Sequence, residues 1–499
     1  MSRFIFILSG LLSVLSLRAQ EMPDTQLREM RGIWVASVAN IDWPSAPGLS
    51  SEALRAEADA ILNRSVTMGL NTVFLQVRPC SDALYKSSIE PLSSYLVGDD
   101  YSSSDIDWLD YWVAGAHSRG LELHAWINPF RVTPKADFPC APSHLSKTRP
   151  DWLVKYAGKL YLNPGLPEAR EYVGRVVMDI VRRYDVDGIH FDDYFYPYPS
   201  KGERFDDSKA FAMYNQRHLN VDNWRRSNVT NVISSVADSI RAVKPWVQFG
   251  VSPFGVWRNK KDDQAGSDTK AGVTDYDVLY ADILNWIDEG YIDYVVPQIY
   301  WEAGNKWCDF DVLEKWWGER ATPSTKVFIG HAVFKINDGK TPGAGWNSQR
   351  EMPSQMEKVR RNANLAGSVF FSYRQFNRNI LGFEDYLASS FYRSKALQLP
   401  LSRGKVEPIS IKRIERDGRL LTWKVEGDTS MVRFYMVFRT LRAEADNIGT
   451  NETIFRIVDT PSVYIPLSKG RRQRYVYRIA VVDKFRVIHG LSRKITVRE

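Results

Sequence analysis

"VDGIHFDDYFYPYP", residues 186–199, runs from a short apolar stretch into two adjacent aspartates and then into aromatics and prolines. Side chains alternate along a strand, so Gly188, His190 and Asp192 share one face while Ile189, Phe191 and Asp193 share the other. Ile189 and Phe191 suit packing against helices. His190 and Asp192 are therefore predicted to face away from them, with Asp192 nearer the strand end and Asp193 turned out to hold a loop. A carboxylate in such a place is costly unless it is paired or used.

Working outward, the same kind of run recurs. "RGIWVASV" (31–38), "NTVFLQVRP" (71–79), "LELHAWINPF" (121–130) and "DGIHFDDYF" (187–195) are followed by "VQFGVSPF" (247–254), "YVVPQIYW" (294–301), "KVFIGHAV" (326–333) and "GSVFFSYRQF" (367–376). Between them lie helical patterns at 51–69, 105–119, 167–184, 221–243, 276–289, 310–319, 351–364 and 383–394. Continuous apolar strands alternating regularly with helices predict an α/β fold, a (β/α)8 TIM barrel, over residues 27–400. A doubly wound open sheet is the alternative, but it gives no reason for the regular eight. After Leu399-Pro400 the helical patterns stop, and runs such as "RLLTWKVEG", "VRFYMVFRT" and "RYVYRIAVVD" predict a small all-β sandwich over 404–499. The barrel strands are complete by Phe376, so a chain ending near Pro400 is expected to stay folded and to keep turnover.

The 499 residues, 44% hydrophobic and 25% charged, describe a globular chain of more than one domain. Residues 1–20, "MSRFIFILSGLLSVLSLRAQ", have a basic start, a short apolar run and a small residue at Ala19, the layout of a signal peptide. The expected protein is exported, periplasmic or associated with the cell envelope, with no transmembrane segment in the mature chain. Cys80, Cys140 and Cys308 are an odd number; Cys80 and Cys140 are the pair most open to a disulfide. Of the net charge of +7, the residues from Arg403 onward carry more than the whole, leaving a slightly acidic body. A basic tail domain suggests an anionic surface or polymer, or simply a solvated basic face. No dinucleotide fingerprint, phosphate-cradling loop or Gly-x-Ser-x-Gly elbow is present, and no nucleic-acid partner is expected.

Barrel enzymes place their chemistry at the carboxyl ends of the strands. The polar residues there are Ser37 and Asn40, Arg78 and Asp82, Asn128 and Arg131, Asp192 and Asp193, Ser252 and Trp257, Gln298, Tyr300 and Glu302, then His331 and Arg374. The stretches "REMRGIWVASVANIDWP", "NTVFLQVRPCSDALY", "HAWINPFRV", "DGIHFDDYFYPYP" and "PQIYW" together resemble the glycosyl hydrolase-like 10 family, from about Leu27 to Phe391. The resemblance implies a bacterial cell-envelope glycosidase whose relatives act on peptidoglycan glycan strands stripped of peptides. "DGIHFDD" also looks like the fourth-strand motif of α-amylase-like retaining glycosidases, which implies Asp192, behind His190, as nucleophile. Trp423 and "YVYRIAVVD" resemble core strands of a fibronectin type III module.

Glycoside hydrolysis needs two carboxyls flanking the bond. Asp192 is one. Glu302 is expected as the acid, sharing a face with Gln298 and Tyr300 and kept apolar by Trp301 and Trp307. Asp82 is its rival, as the partner of an inward Arg78. The candidate substrate contacts are Arg78, Asp82, Asn128, His190, Asp193, Tyr194, Trp257, Gln298, Tyr300 and Trp301, whose rings suit sugar faces. His124, His190 and His331 on three strands raise a metal site as an alternative, but the His-x-His of barrel metalloenzymes is missing, and no metal or other cofactor is expected. The expected activity is hydrolysis of a polysaccharide, most plausibly peptidoglycan. The alternative is a glycan-binding barrel without catalysis.

Overall fold

The structure, a computed structural model, describes residues 28–99, 104–466 and 473–499; the expected signal segment lies outside them. Eight parallel strands close into a barrel: β1 Met30–Val35, β2 Thr72–Arg78, β3 Glu122–Ile127, β4 Gly188–Phe191, β5 Gln248–Val251, β6 Tyr294–Val295, β7 Lys326–His331 and β8 Leu365–Phe370. Each pairs with its neighbours in sequence, and β1 closes on β8 with Met30 opposite Gly367. The outer layer holds α1 Ser51–Thr67, α2 Trp108–His117, α3 Pro167–Arg183, α4 Val221–Val243, α5 Ile283–Asp288, α6 Phe310–Gly318, α7 Glu351–Arg361 and α8 Phe383–Tyr386. Ser50 caps α1 by accepting the Ala53 N–H at 3.2 Å, and Asn220 caps α4 from Asn223 at 2.8 Å. Gly69 leaves α1 at φ +75°, where a Cβ would meet the Tyr392 carbonyl at 2.5 Å.

Alternation along the strands sorts the core into two layers. Ile33, Val35, Val73, Leu75, Ile189 and Phe191 pack outward on the helices. Trp34, Phe74, Trp126, Tyr294, Phe328 and Val369 fill the inside. So many rings fit because glycines face them: a Cβ at Gly250 would lie 2.2 Å from the Tyr294 ring, and one at Gly188 would lie 2.5 Å from His124 Nδ1. Polar atoms inside satisfy one another. The Trp34 indole N–H, which can only donate, reaches His190 Nε2 at 3.1 Å, so His190 carries its proton on Nδ1 and donates it to the Tyr294 hydroxyl at 3.2 Å. Burial, reinforced by His124, holds His190 well below the ordinary imidazole range and therefore neutral.

The sandwich consists of β9 Ser410–Asp417, β10 Leu420–Glu426, β11 Val432–Leu441, β12 Ile454–Val458, β13 Ser462–Tyr464, β14 Arg474–Asp483 and β15 Ile495–Arg498. Its antiparallel sheets run β9-β10-β13 and β12-β11-β14-β15. Leu421, Trp423 and Val463 of one sheet pack on Tyr435, Val437, Tyr477 and Ile479 of the other. The opposite face of the four-stranded sheet is also covered: Phe434, Met436, Phe438 and Ala480 pack with Leu397 from the segment leaving the barrel. Burial on both faces explains why "VRFYMVF" reads as an unbroken apolar run.

The sandwich docks under the amino-terminal end of the barrel through charges. Arg486 meets Glu122 at 2.7 Å, and both side chains are 3% exposed. Arg433 meets Asp187 and Asp185, each at 2.9 Å, and Arg403 Nη2 reaches Asp293 at 2.8 Å. His117 joins Asp187 at 2.8 Å. These contacts bear on the expectation that a chain ending near Pro400 stays intact. Such a chain would strand Glu122, Asp187 and Asp293 in the barrel floor without their arginines. Part of the tail's positive charge is spent inside the molecule on this contact.

Candidate active site

The carboxyl ends of the strands meet at a mouth where Asp192 follows β4. Gln298 Nε2 approaches Asp192 Oδ1 at 3.4 Å while donating to the Ser252 carbonyl at 3.0 Å, and Trp126 and Arg131 also act on the Asp192 carboxyl. Asp192 thus faces inward, as alternation predicts. Asp193 departs from the prediction. Because β4 ends at Phe191, the pleat no longer governs the next two residues. The Asp193 N–H donates to Asp192 Oδ1 at 2.9 Å, and the two carboxyls act on each other electrostatically. Asp193 still holds its loop, accepting the Tyr198 hydroxyl.

Burial raises both carboxyls, and the charge of Asp192 raises Asp193 further, well above the usual range. Hydrogen bonds from the Asp193 backbone and the Arg131 charge oppose the shift at Asp192. Two neighbouring buried carboxyls do not both ionise cheaply, so the charge of one works against the ionisation of the other. Asp275 stands behind Asp193, raised by its own burial and by the Asp193 charge, and accepts the Phe254 N–H at 3.0 Å. The sequence reading passed over it, because "VTDYDV" lies in a loop with no strand pattern to place it.

Around this pair stand half-buried rings. The Arg131 guanidinium lies 3.9 Å above the Tyr194 ring. Tyr300 stacks on Phe371 with centroids 6.3 Å apart, and Trp301 meets Phe254 edge-on at 5.5 Å. Asp192, Asp193, Tyr194, Gln298, Tyr300 and Trp301 are therefore the sequence candidates that gather at the mouth.

The other candidates lie elsewhere. Arg78 is fully buried against Glu90 at 2.6 Å, not Asp82. The cause is a bulge: Gln76 pairs with Trp126 but Arg78 pairs with Ile127, so Val77 is extra and Arg78 shares the outward face of Ile127. Asp82 instead accepts the Cys80 N–H at 3.0 Å, and burial raises its carboxyl. Asn128 is fully buried beneath the Pro79 carbonyl, and His190 lies inside the barrel, below the mouth. Trp257 stacks on Trp316 in the outer layer at 6.2 Å. His331 also faces outward, to Gln355 at 3.1 Å, so the histidines do not converge. Among the described residues no group of three His, Cys, Asp or Glu is placed to share a metal. Cys80, Cys140 and Cys308 are free thiols.

Glu302 is not set as its sequence neighbours suggest. β6 ends at Val295, with two further bridges at Gln298, to Phe254 and Gly330, so strand parity does not extend to Glu302. Its carboxylate accepts the Gly345 N–H at 2.7 Å and faces the Lys335 ammonium, while Trp307 is 54% exposed and makes no apolar wall.

Residues 29–348 match the glycosyl hydrolase-like 10 family. The glycosyl hydrolase YngK of Bacillus subtilis is 36% identical over 94% of this chain and 93% of its own length. This chain belongs to the glycosyl hydrolase-like 10 family. As a member it is a glycoside hydrolase, and the glycosyl hydrolase DigH of Escherichia coli is 34% identical over 70% of this chain and 84% of its own. Among solved structures, the PgaB (BpsB) glycoside hydrolase domain from Bordetella bronchiseptica aligns with 72% of this chain and 98% of that chain, with 11% identity and a TM-score of 0.49. The family match runs from β1 past β7 and so contains both the Asp192–Asp193 pair and Glu302.

Proposed function

We propose that this family member is an exported hydrolase of cell-wall polysaccharide, acting on peptidoglycan glycan strands through two opposed carboxyl centres. The observation that carries the reading is the buried Asp192–Asp193 pair at the barrel mouth, whose carboxyls are raised by burial, and Asp193 further by the Asp192 charge, among half-buried aromatic rings. Proton donation to a leaving oxygen needs a carboxyl that stays protonated near neutral pH, and burial beside a second carboxyl supplies that. The roles expected from sequence are thereby exchanged. The Asp192–Asp193 pair is the acid. Glu302, whose carboxyl accepts the Gly345 N–H with Lys335 nearby, serves as the base or nucleophile. Arg131, Tyr194, Gln298, Tyr300 and Trp301 orient the sugar.

The signal-like start of the chain supports export, and the sandwich, fibronectin-like in sequence, serves as an accessory module. The test is digestion of peptidoglycan strands, stripped of peptides or intact, with new reducing ends counted and products weighed by mass spectrometry. Reducing ends should form from stripped strands and be absent with Asp192→Asn. Cleavage of some other polysaccharide but not of peptidoglycan would replace the substrate. Binding without cleavage of any glycan would favour the non-catalytic alternative.

A further inference from the structure

The cations that join sandwich to barrel follow a rule: Arg403, Arg433, Lys484 and Arg486 each meet a barrel carboxylate. Two cations at the same junction break it. Lys395, on the segment leaving the barrel, and Arg456, on β12, line a groove of about 660 Å³ between the lower rim of the barrel and the sandwich edge. Among the described residues, the charges acting on Lys395 are Arg456 and Arg31, both of its own sign; burial first, and then these two, lower its ammonium. Arg31 is itself taken by Glu29 at 2.9 Å, whereas the contact made by Arg456 is with the Phe455 ring. Arg119, on the opposite wall, is paired with Asp59 at 2.8 Å. Tyr464 stands at the rim with 69% of its surface exposed.

Like charges gathered in a half-buried groove repel one another unless an anion from outside completes the set. The remaining lining mixes neutral hydrogen-bonding groups, Asn63, Thr67, Ser118 and Ser462, with apolar side chains such as Val66, Leu70 and Ile457. We propose that this groove binds an acidic glycan, with Lys395 and Arg456 on its carboxylate or phosphate groups and the Tyr464 ring against a sugar face. The choice of a glycan rests on the chain's being a glycan-acting enzyme, while the call for an anion rests on the groove alone. The site lies at the end of the barrel opposite the mouth, so a polymer held there leaves the reacting carboxyls free.

The experiment is equilibrium binding by the full chain, read by fluorescence anisotropy with labelled oligosaccharides. The probes are oligogalacturonate for carboxylate, phosphomannan oligosaccharide for phosphate, and dextran oligosaccharide as the neutral control. Acidic probes should bind, less tightly as salt is added. The Lys395→Gln/Arg456→Gln double variant should lose about tenfold in affinity, the equivalent of about 1.4 kcal/mol. Lys424→Gln, exposed on β10, should change nothing. The tighter of the two acidic probes identifies the anion. Failure of both acidic probes to bind, equal binding of dextran, or unchanged affinity in the double variant would each overturn the proposal. No turnover is needed for this readout, so failure of the proposed catalytic roles leaves the test intact.

Discussion

At the mouth of the barrel Asp192, Asp193 and Asp275 lie buried close to one another, with Arg131 the cation acting on the first two. At the floor Glu122, Asp187 and Asp293 lie equally deep, but each faces an arginine of the sandwich. The same residue type on the same scaffold is thus pushed in opposite directions. At the mouth burial wins and the carboxyls rise. At the floor burial also pushes Asp187 up, but Arg433 and His117 outweigh it and the carboxyl is lowered. The difference separates a site proposed to keep a proton for chemistry from a contact that neutralises buried charge.

The largest effect should come from the mouth. Asp192→Asn should lower turnover on glycan by about 10²–10⁴-fold, the range for loss of a general acid, with the melting temperature no lower than that of the native chain. A variant that keeps most of its rate would collapse the distinction between the two ends. Next comes the floor. Arg433→Ala or Arg486→Ala should cost about 3–5 kcal/mol in urea unfolding, because each takes the arginine from a buried carboxylate. A chain cut near Pro400 should fare worse than either. Costs below about 1 kcal/mol would place these pairs with ordinary surface contacts.

Acid should act on the two ends with opposite sign. Asp187 has a lowered folded pKa, so its contribution is complete above the unfolded value of about 3.9 and is lost as pH falls toward the folded one. The mouth carboxyls have raised folded pKa values, so their cost is present above those values and is relieved as pH falls through them. Activity needs the pair's last proton and should fail on the alkaline side. Asp193→Asn removes the like charge that helps retain that proton, so the alkaline limb of the rate profile should move to lower pH. A limb that moves up or stays in place would mean that the pair does not share its charge. The smallest effect belongs to the exposed helix pair Arg361–Glu357, where Arg361→Ala should stay within about 0.5 kcal/mol of the native chain.

The sequence already shows most of this fold, since apolar runs at regular intervals locate every barrel strand and strand parity places His190 and Asp192 inside. It is less reliable past the strand ends. Asp193 and Glu302 follow strands that stop at Phe191 and Val295, where alternation has no hold, and one extra residue at Val77 reverses Arg78. The docking of the sandwich was hidden for another reason. Arg486 and Glu122 are 364 residues apart, and the net charge of a segment does not say which of its arginines will be buried.

In the proposed mechanism Asp192–Asp193 donates the proton and Glu302 acts as base or nucleophile. The most direct measurement compares Asp192→Asn and Glu302→Gln on the natural glycan and on an aryl glycoside of the same sugar with a good leaving group. A leaving group that needs no proton should restore much of the rate to Asp192→Asn and none to Glu302→Gln. Restoration of Glu302→Gln alone would contradict the assignment and return the acid to Glu302.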